Sequence, residues 1–232
     1  MMRSDDLRAR LMDIQGRVTE AANESLRKGD AVRLMAVSKT HPYAAMLALA
    51  AAGQLLFGEN RVQEGEAKLP DKGERPLTIN LIGHLQSNKA RKALALFDRI
   101  DSVDSLRLAR RLDGLIEEPY PILLELNTSG EAAKHGFKDE DALFFALDEI
   151  VTMEQLRVEG LMTLGPLGGD ERATRAAFSR LRESFERAKE RFDLPSFFEL
   201  SMGMSGDWPL AIAEGSTCVR IGTALFGPRE GR

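Results

Sequence analysis

Eight short β-rich runs alternate with helical runs along this chain, and that alternation restricts the fold more than any other feature. The β runs are VRLMAVSK, LLFGEN, LTINLIG, DRIDSV, PILLELNTS, LRVEGLMTL, SFFELSMG and TCVRIG. Helical stretches lie between them. PYAAMLALAAAG starts on Pro42 and stops at Gly53, and a long amphipathic run covers 170–192. A further helix is predicted ahead of the first strand, over 5–28, from apolar positions Leu7, Leu11, Ile14, Val18, Ala21 and Ala22. Strands joined through helices must lie parallel, because a parallel neighbour needs a long crossover. Eight such units in 232 residues predict a single closed (β/α)8 barrel spanning 1–232, with one extra N-terminal helix. An open doubly wound sheet is the alternative, but no G-x-G-x-x-G follows the first strand. The last residues, PREGR, read as a frayed tail.

In a barrel of this kind the functional end is the C-terminal end of the strands. Polar residues collect there: Ser38 and Lys39 after the first run, Glu59 and Asn60 after the second, His84 after the third. Asn127, Thr163, Ser201 to Ser205, and Gly222 with Thr223 follow later runs. Period-two alternation puts Met35, Val37 and Lys39 on one face, and Cys218, Arg220 and Gly222 on one face. Both alternations aim Lys39 and Arg220 into the barrel mouth. Lys39 alone reads equally as a solvated charge, and Arg220 alone as half of a structural ion pair.

The loops after the seventh and eighth runs, SMGMSGDW and RIGTALFG, carry small residues and hydroxyls where barrels often bind phosphate. They also read as ordinary strand-to-helix turns. A lysine across the mouth from a phosphate loop fits a phosphorylated aldehyde held as an imine, with pyridoxal phosphate the obvious candidate. Arg220 would then meet the pyridine nitrogen. A permanent cation there weakens the ring as an electron sink, which argues against broad carbanion chemistry. A phosphosugar enzyme with a Schiff-base lysine is a further reading of the same residues.

Other classes are disfavoured. The net charge of −4 gives no basic excess for nucleic acid. No apolar run approaches the ~20 residues of a membrane span, and the N-terminus has no signal-peptide core. With one cysteine, Cys218, there is no disulfide framework. The three histidines stand far apart in no metal-ligand spacing, so no metal is expected. A cytoplasmic monomer is the expectation.

The stretches AVSKTHP, FGENRVQE, LIGHLQSNKAR, IDSVDS, LNTSGEAAKHGF, GLMTL and ELSMGMSGDWPLAIAEGSTCVRIGTALFG together resemble the pyridoxal phosphate homeostasis protein family. They run in order from about residue 32 to 227. The resemblance implies a barrel like the N-terminal domain of alanine racemase. It implies that Lys39 carries the imine, and that Ser205, Gly222 and Thr223 hold the phosphate. Arg220 would face the pyridine nitrogen and Asn60 the ring hydroxyl, with Met202 and Met204 near the cofactor. His84 and Asn88 would sit at the rim. Two departures are His41, where relatives often carry another residue, and the absence of a lysine pair after GTALFG.

Racemases of this fold need a second base, a tyrosine from a separate domain. This chain has only Tyr43 and Tyr120, and Tyr120 opens a strand at the far end. The expectation is therefore a non-catalytic carrier and regulator of pyridoxal phosphate, with no catalytic residue. It would buffer the cofactor and pass it transiently to apo-enzymes, with consequences for amino-acid metabolism. The alternative is a racemase with weak or one-base activity.

Overall fold

The eight strands close into a barrel in a computed structural model that describes residues 4–25 and 32–227. They are β1 (Arg33–Val37), β2 (Leu56–Glu59), β3 (Thr78–Leu81), β4 (Arg99–Val103), β5 (Tyr120–Glu125), β6 (Leu156–Met162), β7 (Glu199–Met204) and β8 (Cys218–Ile221). Each pairs in parallel with its sequence neighbour, and β1 pairs with β8 to shut the ring. The open-sheet alternative is thereby excluded.

Around the ring run α1 (Ser4–Glu24), α2 (Tyr43–Ala50), α3 (Val62–Lys68), α4 (Ala90–Leu96), α5 (Leu106–Asp113), α6 (Glu140–Ile150), α7 (Glu171–Arg191), α8 (Trp208–Ala213) and α9 (Thr223–Phe226). Ser105 caps α5 by accepting from Leu108 N, and Asp139 and Asp170 cap α6 and α7 in the same way. The helix after β8 is a single turn, too short to cover its strand. The leading helix takes that place: α1 packs against α2, α8 and α9, over the seam where β8 meets β1. Its buried Leu7, Leu11, Ile14, Val18 and Ala22 form the stripe read from the sequence. Residues 26–28 of the expected helix, and the PREGR tail, lie outside the described residues.

The strands bury both faces. Leu34, Ala36, Val219 and Ile221 join one apolar cluster with the helices. Their neighbours turn inward: Val37 and Arg220 line a cavity, and Met35 sits in register with Arg220. The predicted alternation of β1 and β8 therefore has the expected register.

The base of the barrel holds a closed ion network. Arg33, Arg99 and Glu199 are each the first residue of a strand. Arg99 donates to Glu199 at 2.6 and 2.7 Å, to Asp101 at 2.6 and 3.1 Å, and to Glu159 at 3.0 Å. Arg33 also bonds Glu199. Burial pushes the Glu199 carboxyl up, but bonding and charge from Arg99, with the charge of Arg33, outweigh it and hold it below the usual range. Tyr120 lies at the N-terminal end of β5, its hydroxyl donating to Phe97 O at 2.6 Å.

Candidate functional site

A cavity of about 550 Å³ opens at the C-terminal ends of the strands. That volume suits a small organic ligand. Lys39, two residues past β1, lines it and is half-buried. The backbone around Lys39 is fixed. Thr40 adopts a left-handed φ of 68°, uncommon for a β-branched residue, and its N–H bonds the Glu64 carboxylate. Lys68 donates to Ser38 O at 2.8 Å and His41 O at 2.9 Å, and it pairs with Glu59 at 2.7 Å. Ser38 Oγ donates to the same Glu59 carboxylate at 2.5 Å. Ser38 and Glu59, expected among the mouth residues, do not line the cavity. They are fully buried and anchor the turn that carries Lys39.

Arg220 lines the same cavity and is 2% exposed. It donates to Ser201 Oγ at 2.6 Å and Thr163 O at 2.7 Å. Both acceptors are neutral, so its charge is not spent on a carboxylate bonded to it. Burial pulls its pKa below the usual guanidinium value. Glu125, the last residue of β5, also lines the cavity at 4% exposure. Burial pushes its carboxyl up to about 7, the Asp104 charge adds to that, and Arg220 opposes it. The sequence reading missed Glu125. An acid closing the apolar run PILLE was the available signal.

Ser205, Gly206, Gly222 and Thr223 form the wall after β7 and β8, and Asn60 contributes from just past β2. The β7 pairing slips between Ser201 and Met204, around Gly203 with φ +93°. A Cβ on Gly203 would lie 2.6 Å from Ala211 Cβ and 3.0 Å from Trp208 Cα. This bulge separates the two methionines. Met204 lines the cavity, whereas Met202 is fully buried in the cluster between strands and helices. Met202 thus stands outside the cavity lining, contrary to expectation, because it keeps the outward parity of Leu200 on β7. Lys39, Asn60, Ser205, Arg220, Gly222 and Thr223 are brought together.

At the rim, His84 bonds Asp104 and stacks on His135, and Lys134 donates to Gly165 O at 2.6 Å. Asn88 is exposed on the 3-10 turn Ser87–Lys89, away from the lining. Tyr43 is partly buried against the apolar cluster and does not line the cavity.

Residues 13–230 match the family described as alanine racemase, N-terminal domain. The pyridoxal phosphate homeostasis protein of Pseudomonas aeruginosa is 41% identical over 222 residues, covering 94% of this chain and 93% of that protein. The chain belongs to the pyridoxal phosphate homeostasis protein family. The structure of another protein, PipY of Synechococcus elongatus with pyridoxal phosphate bound, aligns at TM-score 0.80 and 40% identity. That alignment covers 95% of this chain and 100% of PipY. Alanine racemase of Clostridium difficile aligns at TM-score 0.72 and 16% identity, over 98% of this chain but 61% of the racemase, and shares the fold. Among the described residues, no helix is long and apolar enough to cross a membrane.

Proposed function

We propose that this protein holds pyridoxal 5'-phosphate in the mouth cavity and serves its homeostasis, buffering the cofactor and delivering it to enzymes that need it. The observation that carries this reading is the placement of Lys39 and the buried Arg220 in one cavity with Ser205, Gly222 and Thr223. The pyridoxal phosphate homeostasis protein of Pseudomonas aeruginosa and the pyridoxal phosphate bound to PipY support it.

The residues fit the group. When bound, pyridoxal phosphate supplies an aldehyde that condenses with a lysine amine. Lys39 offers that amine, on a turn clamped by Lys68 and Glu64. Ser205, Gly222 and Thr223 offer hydroxyls and closely approachable backbone for a phosphate. Arg220, held by Ser201 and Thr163, would meet the ring nitrogen as a fixed cation and so disfavour its protonation. Asn60 would lie near the ring hydroxyl, and Met204 near the cofactor. Neither Tyr43 nor Tyr120 lines the cavity. The same reading makes the protein a cytoplasmic monomer of one domain, met transiently by apo-enzymes.

Purified protein is expected to absorb in the visible region. Borohydride reduction and peptide mapping should find the label on Lys39, and Lys39→Ala should be colourless and resist reconstitution. A colourless wild type that cannot be reconstituted overturns the assignment. Rapid Lys39-dependent solvent-deuterium exchange at the α-carbon of amino acids overturns the carrier role and supports a racemase.

A further inference from the structure

His84 follows β3, Asp104 follows β4 and His135 lies in the loop after β5. Three successive loops at the mouth thus each contribute one metal-capable side chain. Their ligand atoms all lie within 4.8 Å of one another. Asp104 Oδ2 is 2.9 Å from His84 Nδ1 and 3.9 Å from His135 Nδ1. Ligands of a tetrahedral zinc ion at ordinary bond lengths stand about 3.3 Å apart, between those two values. We propose that His84, Asp104 and His135 form a binding site for a divalent transition-metal ion of the zinc class at the rim of the cavity. The site stands independently of the cofactor assignment.

The backbones are already held. Ser102 Oγ donates to Gly83 O at 2.7 Å, beside His84. Ser105 Oγ donates to Asp104 Oδ1 at 3.1 Å, which leaves Oδ2 for the two imidazoles. His135 is flanked by Lys134, tied to Gly165 O and Glu131, and by Gly136 at φ +108°. A Cβ on Gly136 would approach Asn127 N to 2.8 Å.

The side chains keep the freedom to ligate. The rings stack with centroids 3.7 Å apart and planes 9° from parallel. A bound ion requires each ring to turn so that its Nδ1 lone pair meets the metal. Side-chain exposures of 36% and 56% leave room for that rotation. The hydrogen bond from His84 to Asp104 is replaced: the Nδ1 proton passes to solvent and the nitrogen takes the metal. Asp104 supplies one negative charge and repels Glu125, so a cation beside it relieves that repulsion. Two imidazoles and one carboxylate select zinc-class ions over magnesium or calcium.

Zinc chloride titrated calorimetrically into the full-length protein is expected to bind one ion per chain. His84→Ala, Asp104→Asn and His135→Ala should each weaken binding about tenfold or more, with unchanged far-ultraviolet circular dichroism. His135→Gln keeps a polar side chain at the same exposed position and should behave like His135→Ala. Cobalt(II) should give the intense visible bands of a low-coordinate site in the wild type and lose them in His135→Gln. Full-strength zinc binding in both His135 variants overturns the proposal. So does equal binding of magnesium, or a cobalt spectrum no different from that of the aquo ion.

Discussion

The two ends of the barrel treat buried charge in opposite ways. At the base, Arg99 spends its donors on Asp101, Glu159 and Glu199, and Arg33 adds to the same network. At the mouth, Arg220 is equally buried but bonds only a hydroxyl and a carbonyl, and Glu125 sits in the same cavity with its carboxyl destabilised in the ionised form. A network of mutually bonded charges holds strands together. A charge with neutral partners in a cavity is available to a ligand. The comparison separates residues that serve the fold from residues that serve the site, although both groups look alike as isolated charges in strands.

The sharpest way to break the comparison is Arg99→Met. It strands Glu199 and Asp101 without their main counter-charge, and urea denaturation should record a loss of about 3–5 kcal/mol. A loss comparable to that of a surface substitution would erase the distinction between the two ends.

Glu125→Gln tests the mouth through pH. The folded value, about 7, lies above the ordinary 4.5. Glu125 therefore leaves stability intact below about pH 4.5, and stability falls as the pH climbs through about 7. The full span of that loss is on the order of 3 kcal/mol. Urea midpoints across this range should flatten in Glu125→Gln. An unchanged pH profile means that the carboxyl is not destabilised by its place in the cavity.

Arg220→Met should cost only about 1–3 kcal/mol, for the acceptors left on Ser201 and Thr163. Its main effect is expected on the visible absorbance of bound pyridoxal phosphate. A stability loss as large as that of Arg99→Met would make Arg220 structural. Lys39→Ala should leave stability within about 0.5 kcal/mol of wild type, since the side chain is half-buried at a cavity edge.

Much of this was legible in the sequence because the barrel repeats one local rule. Strand runs, the apolar stripe of α1, and the parity that turns Arg220 inward are short-range patterns. Met202 was placed near the cavity by family resemblance, although its period-two parity with Leu200 already turns it outward; the bulge at Gly203 is what brings Met204 to the lining, and a bulge leaves no periodic trace beyond its glycine. The grouping of His84, Asp104 and His135 escaped for another reason. Their spacing along the chain is wide, and only the stacking of loops at one end of a closed ring brings them together. The role of α1 was half visible: its apolar stripe announced a helix, but not that a one-turn α9 would leave the closing seam for α1 to cover.

That closure has a consequence for biosynthesis. Lys39 is made well before Arg220, Gly222 and Thr223, yet β1 must pair with β8 before they share a cavity. A nascent chain that has emerged only through β7 carries the amine but lacks the cation and the last wall. Capture of the ligand therefore reports that translation has passed β8 and the ring has shut. Ribosome-stalled chains of increasing length should gain the ligand's colour in one step, rather than strand by strand.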